Sequence, residues 1–288
     1  MVKDISLVIV SWNVNKHLRA NLARLFSLPT RHSFDVYVVD NASVDGSGAM
    51  IRSEFPQVKL IQNDWGSGFS HANNQALRLV EGNVVILLNP DMLMGEGTLD
   101  IAHDTLMNHP TIGVLGVRLD DAEGRPLKSV RHFPGFWDQL VILLKIPHFF
   151  PRVLDRYIPA DFDYTKSQDV DAVRGSFFAF RRDMLERVGF LDEGYFIWFE
   201  EVDFCRRVKE KGLRVRYVAE ARCQDLIGRS LSKMKRAETQ RIFTASLTHY
   251  FHKWHPAWQA FVFAVLRWPM IGLAFIADVV GMKGKAKA

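Results

Sequence analysis

Cysteine is scarce in this chain: Cys205 and Cys223 are the only two in 288 residues. Their spacing fits neither a zinc site nor a disulfide framework, so a reducing, cytoplasmic setting is expected. Nor is a secretory leader expected. Ile5–Val10 is an apolar run of strand length, Asp4 precedes it, and no small-residue cleavage site follows, so no signal peptide is expected. There is no internal repeat and no low-complexity tract. What remains is an ordinary globular balance, 48% hydrophobic and 24% charged. The length suits one α/β domain, alone or with an appendage, and the core can be large enough to need no covalent staple.

Charge is unevenly placed. The net charge is +5, but residues 229–288 carry ten Lys/Arg against two Asp/Glu, a net of +8 that leaves −3 for the remainder. A basic end on a slightly acidic body points to an anionic surface. The acidic body and the Trp/Phe-rich setting argue against nucleic acid and for membrane. Ala260–Leu266 and Met270–Ala277 are apolar but are separated by Arg267, Trp268 and Pro269. A clean spanning helix needs about 20 apolar residues, so none is expected. Trp254, Trp258 and Trp268, with flanking Lys/Arg, suit a segment lying in the interface. The expectation is peripheral contact with the inner face of the cell membrane. The alternatives are an apolar helix packed on the domain or against a second copy in a homodimer, and a kinked hairpin entering the bilayer.

The first hundred residues alternate two periodicities. Ile5–Ser11, Phe34–Val39, Val58–Gln62 and Asn83–Leu88 are short β-rich runs of the kind buried on both faces of a sheet. Between them, His17–Leu28, Gly48–Phe55 and Ser70–Val80 have helical spacing. This order predicts a parallel sheet with right-handed crossovers. Further on, Ile112–Leu119, Ala172–Arg181 and Arg214–Val218 read as strands and Phe199–Gly212 as a helix. Phe133–Tyr157, rich in aromatics and Pro, reads as a mobile or partly helical insertion. After Arg229 the chain is helical and basic.

Three constellations carry chemistry. In Val38–Ser47 (VVDNASVDGS) Asp40 stands at a strand end, where ligands of open α/β sheets bind. A carboxylate there can accept from a base N–H or a ribose hydroxyl, though an Asx-rich turn has the same composition. In Leu87–Asp91 (LLNPD) Asp91 ends another strand and is a candidate ligand for a hard cation, as a diphosphate leaving group requires. In Trp198–Arg207 (WFEEVDFCRR) three carboxylates occur in four residues. Glu200 and Asp203 are helix neighbours, Asp203 can pair with Arg207 at i,i+4, and one acid remains to act as a base on an acceptor hydroxyl. An acidic first turn also suits a helix dipole. The glycines of Asn63–Phe69 (NDWGSGF) and Gly175 would let backbone approach a ligand closely.

These stretches, taken in order, resemble the family 2 glycosyltransferases, especially their rhamnosyltransferase-like branch. The resemblance rests on Ser6–Asn13 (SLVIVSWN), Val38–Ser47, Asn63–Asn74 (NDWGSGFSHANN), Leu87–Asp91, Arg131–Pro134 (RHFP), Gly175–Arg181 and Gly189–Arg206 (GFLDEGYFIWFEEVDFCR), and covers about residues 5–230. It implies a GT-A fold, a mostly parallel mixed sheet flanked by helices, over residues 1–230, with a helical extension over 231–288. It implies a nucleotide-sugar donor, a divalent cation (Mn2+ or Mg2+) and transfer with inversion to a lipid-linked or polysaccharide acceptor. By that likeness Asp40 would hold the base, with Ser11 and Asn13 lining the nucleotide pocket. Asn73 and Asn74 would lie near the diphosphate or ribose. Asn89 and Asp91 stand where the family has its Asp-x-Asp-like metal motif. Glu201 would be the base, with Asp192, Gly175 and Glu200 around sugar or acceptor. The chain departs from the pattern twice. Glu201 stands where most relatives have Asp, leaving Glu200 open as the base. Asp225 opens the segment Asp225–Ser230 where many relatives have a metal-binding His. L-Rhamnose from dTDP-rhamnose is the first candidate donor, a UDP-galactofuranose or UDP-hexose the second. A non-catalytic nucleotide-sugar-binding scaffold is the alternative of a different class.

Overall fold

A computed structural model describes residues 3–226 and 234–281. The elements run β1 (Ile5–Ser11), α1 (Asn15–Ser27), β2 (Phe34–Asn41), α2 (Ser47–Glu54), β3 (Lys59–Asn63), α3 (Phe69–Leu77), β4 (Val84–Leu88), β5 (Met92–Met94), α4 (Thr98–Asn108) and β6 (Ile112–Asp120). There follow β7 (Val130–Arg131), α5 (Phe136–Leu143), β8 (Gln168–Val170), β9 (Ala172–Val173), β10 (Phe177–Arg181), α6 (Met184–Arg187), α7 (Glu200–Glu210), β11 (Arg214–Asp225), α8 (Arg236–Trp254) and α9 (Ala257–Val279).

The main sheet has the order β3-β2-β1-β4-β10-β6-β11-β5, with β8 also on β11. The four amino-terminal strands are parallel, as the alternating pattern predicts. The sheet as a whole is mixed, because β10 runs antiparallel to both β4 and β6. β5 is antiparallel to β11. The run Ala172–Arg181, expected as one strand, is two: β9 pairs with β7 in a small second ribbon, and Arg174–Ser176 turns the chain into β10. Gly116 faces β9 so closely that a Cβ there would lie 2.6 Å from Val173.

The two-residue period of the strands explains the layers. Ile5, Leu7 and Ile9 point to one face and pack with α1, α2 and α4, while Val8 and Val10 point to the other and pack with α3, α7 and α8. Leu247, Tyr250 and Phe251 of α8 are fully buried in the second layer, alongside Val202 and Phe204 of α7. The expected boundary at residues 230/231 falls outside the described residues. Both cysteines are buried and free, and burial pushes the Cys205 thiol up to about 12 and Cys223 up as well.

The expected insertion Phe133–Tyr157 is partly helical, consisting of α5 and two short 3-10 turns, Ile146–His148 and Pro151–Leu154. At the C-terminal end a finding corrects the expectation. The two apolar runs form one continuous helix, α9, with Pro269 inside it, and it is long and apolar enough to cross a membrane. Its other contacts tie it to α8: the Asp278 carboxylate accepts from the N–H groups of Arg236 (3.2 Å) and Ala237 (3.0 Å) in the first turn of that helix.

Candidate functional site

The strand directions gather one set of chain segments at a single sheet edge. The carboxyl ends of β3, β2, β1, β4, β6 and β11 lie there, together with the amino ends of β10 and β5, because Phe177 pairs with Leu88 and Met92 with Asp225. Ser11, Asp40, Asn89, Asp91, Gly175 and Asp225 all stand at that edge. Ser11 and Asp40 are directly opposite in register, and both are fully buried. Ser43 N–H donates to Asp40 Oδ1 (3.1 Å), but among the described residues Asp40 Oδ2 and Ser11 Oγ have no partner. Buried polar atoms are almost always paired, so an acceptor and a hydroxyl left together at a strand end mark a place for a ligand's polar groups. Asn13 braces the next turn, with φ of 53°: its N–H donates to Ser43 Oγ (2.9 Å) and its Oδ1 accepts from Val44 N–H (2.8 Å).

Asn41, on the opposite side of β2 from Asp40, ties in the glycine-bearing segment, since its Oδ1 accepts from Ser67 N–H (3.0 Å) and Ser67 Oγ (2.9 Å). Gly68 has φ of +84°, and a Cβ there would lie 2.9 Å from Phe196 O, so its freedom serves a protein–protein approach. Asn73 donates to Phe69 O (2.8 Å) within α3. Asn74 is engaged on every side. Its Nδ2 donates to Leu191 O (2.9 Å) and Glu193 Oε1 (2.8 Å), and its Oδ1 accepts from Leu191 N–H (3.1 Å). It clamps α3 to the loop before α7.

Asp91 and Asp225 come from adjacent backbones, and Leu226 N–H donates to Asp91 O (3.1 Å). Both carboxylates are buried, at 4% and 2% exposure, which is too little for water alone to stabilise two like charges. Burial first, and then the charge of Asp225, push the Asp91 carboxyl up. Arg174 Nη1 sits 3.0 Å from Asp225 Oδ2 and offsets part of that charge. A pair of carboxylates offering only oxygen fits a hard divalent cation. The sequence pattern did not single out Asn21. It lies on the buried stripe of α1, and its Nδ2 donates to Asn89 O (3.1 Å) and Met92 O (2.7 Å), which fixes the turn carrying Asp91. A lone amide on an otherwise apolar stripe was the available signal.

The third part is the start of α7. Trp198 and Phe199 both have positive φ, 70° and 72°, in the left-handed region that disfavours residues with a Cβ. Strain of this kind persists only where surrounding structure holds it. Here α8 does so: Ser246 Oγ donates to Ile197 O (2.9 Å), and Phe199 packs on Tyr250. The turn sets Glu201 beneath Gly175, where a Cβ would lie 3.4 Å from that of Glu201. Gly175 adjoins Ser176, whose O accepts from Asn89 N–H (3.0 Å), so Glu201 stands across the edge from the Asp91 turn. Glu201 is partly exposed, while Glu200 is 5% exposed. Burial, and then the neighbouring Glu201 and Asp203 charges, push the Glu200 carboxyl well above the usual range. The Arg131 guanidinium and the Tyr157 hydroxyl are close enough to Glu201 to interact with its charge.

Asp203 and Asp192 are both engaged by α8. Asp203, fully buried, accepts from Arg207 Nε, Lys253 Nζ and Trp254 Nε1, each at 2.8 Å. Asp192 Oδ2 accepts from Lys253 Nζ (2.7 Å) and lies 3.1 Å from His249 Nε2, and these bonds outweigh partial burial to hold its carboxyl down at about 2. Both acids fasten α8, and the Asp192 carboxylate is already hydrogen-bonded within the protein. Residues Ile227–Ser230 of the segment that begins at Asp225 lie outside the described residues.

Residues 3–244 match the family described as "Glycosyltransferase like family 2". The chain is 28% identical over 239 residues to N-acetylglucosaminyl-diphospho-decaprenol L-rhamnosyltransferase of Mycobacterium tuberculosis, covering 77% of this chain and 75% of that one. It is 30% identical over 166 residues to the rhamnosyltransferase WbbL of Escherichia coli, covering 52% of this chain and 58% of that one. Among solved structures, a mannosyltransferase of Pyrobaculum calidifontis in complex with GDP-Man and Mn2+ superposes with a TM-score of 0.61 at 19% identity, covering 99% of this chain and 77% of that one.

Proposed function

Given that the chain belongs to glycosyltransferase family 2, we propose that it moves L-rhamnose from dTDP-rhamnose to a lipid-linked acceptor, with inversion at the anomeric carbon. The carrying observation is the row of unpartnered buried atoms along one sheet edge, Ser11 Oγ, Asp40 Oδ2 and Glu201 Oε2, with the Asp91 and Asp225 carboxylates at the same edge. The rhamnosyltransferase relatives support the choice of sugar, and the diphospho-decaprenol acceptor in one relative's name supports the choice of acceptor.

In this reading Asp40 accepts from the N–H of the pyrimidine base and Ser11 bonds the nucleoside. Asp91 and Asp225 would hold a Mn2+ or Mg2+ ion, which when bound neutralises the diphosphate as it leaves. Asn89 and Asn21 keep the Asp91 turn in place. Glu201 takes the proton from the acceptor hydroxyl. That oxygen then forms its bond to the anomeric carbon from the face opposite the nucleotide, as the bond to the diphosphate oxygen breaks. Glu200, buried and with its carboxyl raised well above the usual range, supports the turn and is not the base.

The same enzyme would work at the inner face of the cell membrane. The outward side of α9 exposes Trp258, Phe261, Trp268, Phe275 and Ile276. Because α9 is fastened lengthwise to α8, and α8 is built into the domain core, the helix meets a bilayer from the side.

Calorimetric titration with dTDP-rhamnose, UDP-glucose and UDP-galactose, each with and without Mn2+, tests the donor. Tight, Mn2+-dependent binding of dTDP-rhamnose is expected. Preference for a UDP-sugar would replace the donor, and no binding of any would overturn the reading.

A further inference from the structure

A second group of ligating side chains lies at the other end of the sheet. Asp4 precedes β1, His32 lies in the loop leading into β2, and His103 is on α4. β1 spans seven residues, so the transfer edge is about 20 Å away. One carboxylate oxygen of Asp4 and one ring nitrogen of each histidine lie within 4.8 Å of one another. The imidazole centroids are 3.7 Å apart, with the rings tilted by 34°.

The arrangement around these groups is what a bound cation requires. His32 Nε2 and His103 Nδ1 lie 2.8 and 3.2 Å from the same atom, Asp104 Oδ1. When both donate to it, each ring is fixed in the tautomer whose other nitrogen carries a lone pair. Metal-bound histidines are oriented in this way, by a carboxylate on the far ring nitrogen. Asp104 is itself held, since its Oδ2 accepts from Arg31 Nη2 (2.7 Å), and Arg31 also donates to Asp100. On the other side, Ser33 N–H and Oγ both donate to Asp4 Oδ2 (2.8 Å each), which leaves Oδ1 for a cation. The three residues come from three separate segments, and the histidines are mostly buried, with 19% and 12% of their side chains exposed.

We propose that Asp4, His32 and His103 form a binding site for one transition-metal cation of the Zn2+ class, oriented by Asp104 and separate from the transfer site. Two imidazoles and one carboxylate favour such an ion over Mg2+ or Mn2+, which prefer all-oxygen ligands. In a tetrahedral Zn2+ site adjacent ligand atoms stand about 3.3 Å apart, so a spacing of up to 4.8 Å needs a closure of at most about 1.5 Å. Bound there, the ion staples the start of β1, the loop into β2 and α4.

The test uses the whole chain, stripped with chelator and then kept in excess Mg2+ to occupy the all-oxygen site. Titration with Co2+ should show about one equivalent with visible ligand-field absorption, and Zn2+ should displace it and raise the Tm. His32→Ala and His103→Ala should abolish the absorption. Asp104→Asn, which keeps the ligands and guards against a variant that fails to fold, should weaken binding roughly 10- to 100-fold. Asp91→Asn should leave the Co2+ spectrum unchanged. Absence of Co2+ binding, binding that survives both histidine variants, or binding lost only in Asp91→Asn would overturn the proposal.

Discussion

At the residue scale the adjacent acids Glu200 and Glu201 differ by where a strained turn puts them. Glu201 lies under Gly175 with an unpartnered oxygen, and Glu200 is sealed inside. Glu201→Gln should therefore abolish transfer while leaving donor affinity within about twofold, and Glu200→Gln should keep transfer, both read in single-turnover assays. The same contrast has a pH signature. A carboxyl raised in the folded state binds its proton more tightly folded than unfolded. Its contribution to stability is therefore full below the ordinary glutamate value of 4.5 and is lost as pH rises through the folded value. Glu200→Gln should flatten the decline in Tm above pH 4.5. An unchanged slope would mean that Glu200 titrates normally. The sequence showed three acids beside aromatics, but it left the base open, because burial depends on α8, which follows some thirty residues later.

At the element scale, the acidic first turn of α7 does more than suit a dipole. Asp203 joins Arg207 one turn on, as the i,i+4 spacing predicts, but it also takes Lys253 and Trp254 from the end of α8. Removing a fully buried carboxylate from among cations leaves their charges uncompensated. Asp203→Ala should cost about 3–5 kcal/mol, measured by urea denaturation. A loss below about 1 kcal/mol would show that α8 is held by its apolar face alone. The strands β1 to β4 were legible because each is an unbroken apolar run bounded by turn residues. β5 and α4 were not recognised: β5 is three residues long, and α4 lacks a capping residue at its start, where Gly97 stands in the left-handed region. The split of Ala172–Arg181 was hidden because both halves are apolar and the turn between them is made by contacts with Ser129 and Asn89.

At the scale of the whole molecule, the outward apolar side of α9 is one exposed surface. Trp137, Phe149 and Phe150 of the segment after β7 are also exposed, and Phe136 packs on Trp258, which links the two regions. The full chain should sediment with vesicles containing anionic lipid and dissociate as salt is raised. The double variant Phe261→Glu/Phe275→Glu should reduce this at least tenfold without changing donor binding. Vesicle binding that is unaffected, with those substitutions instead breaking a dimer, would assign the helix face to a second copy.

The order of strands and helices, the strand-end carboxylates and the basic apolar terminus were fixed by local pattern, because period, turn chemistry and charge are properties of neighbouring residues. Which acid is open, which asparagines are spent as clamps, and that Asp4, His32 and His103 meet were decided only in three dimensions. Each of those depends on burial or on a partner from a distant segment. The antiparallel insertion of β10 between β4 and β6 is of the same kind, since strand pairing is chosen by the whole sheet.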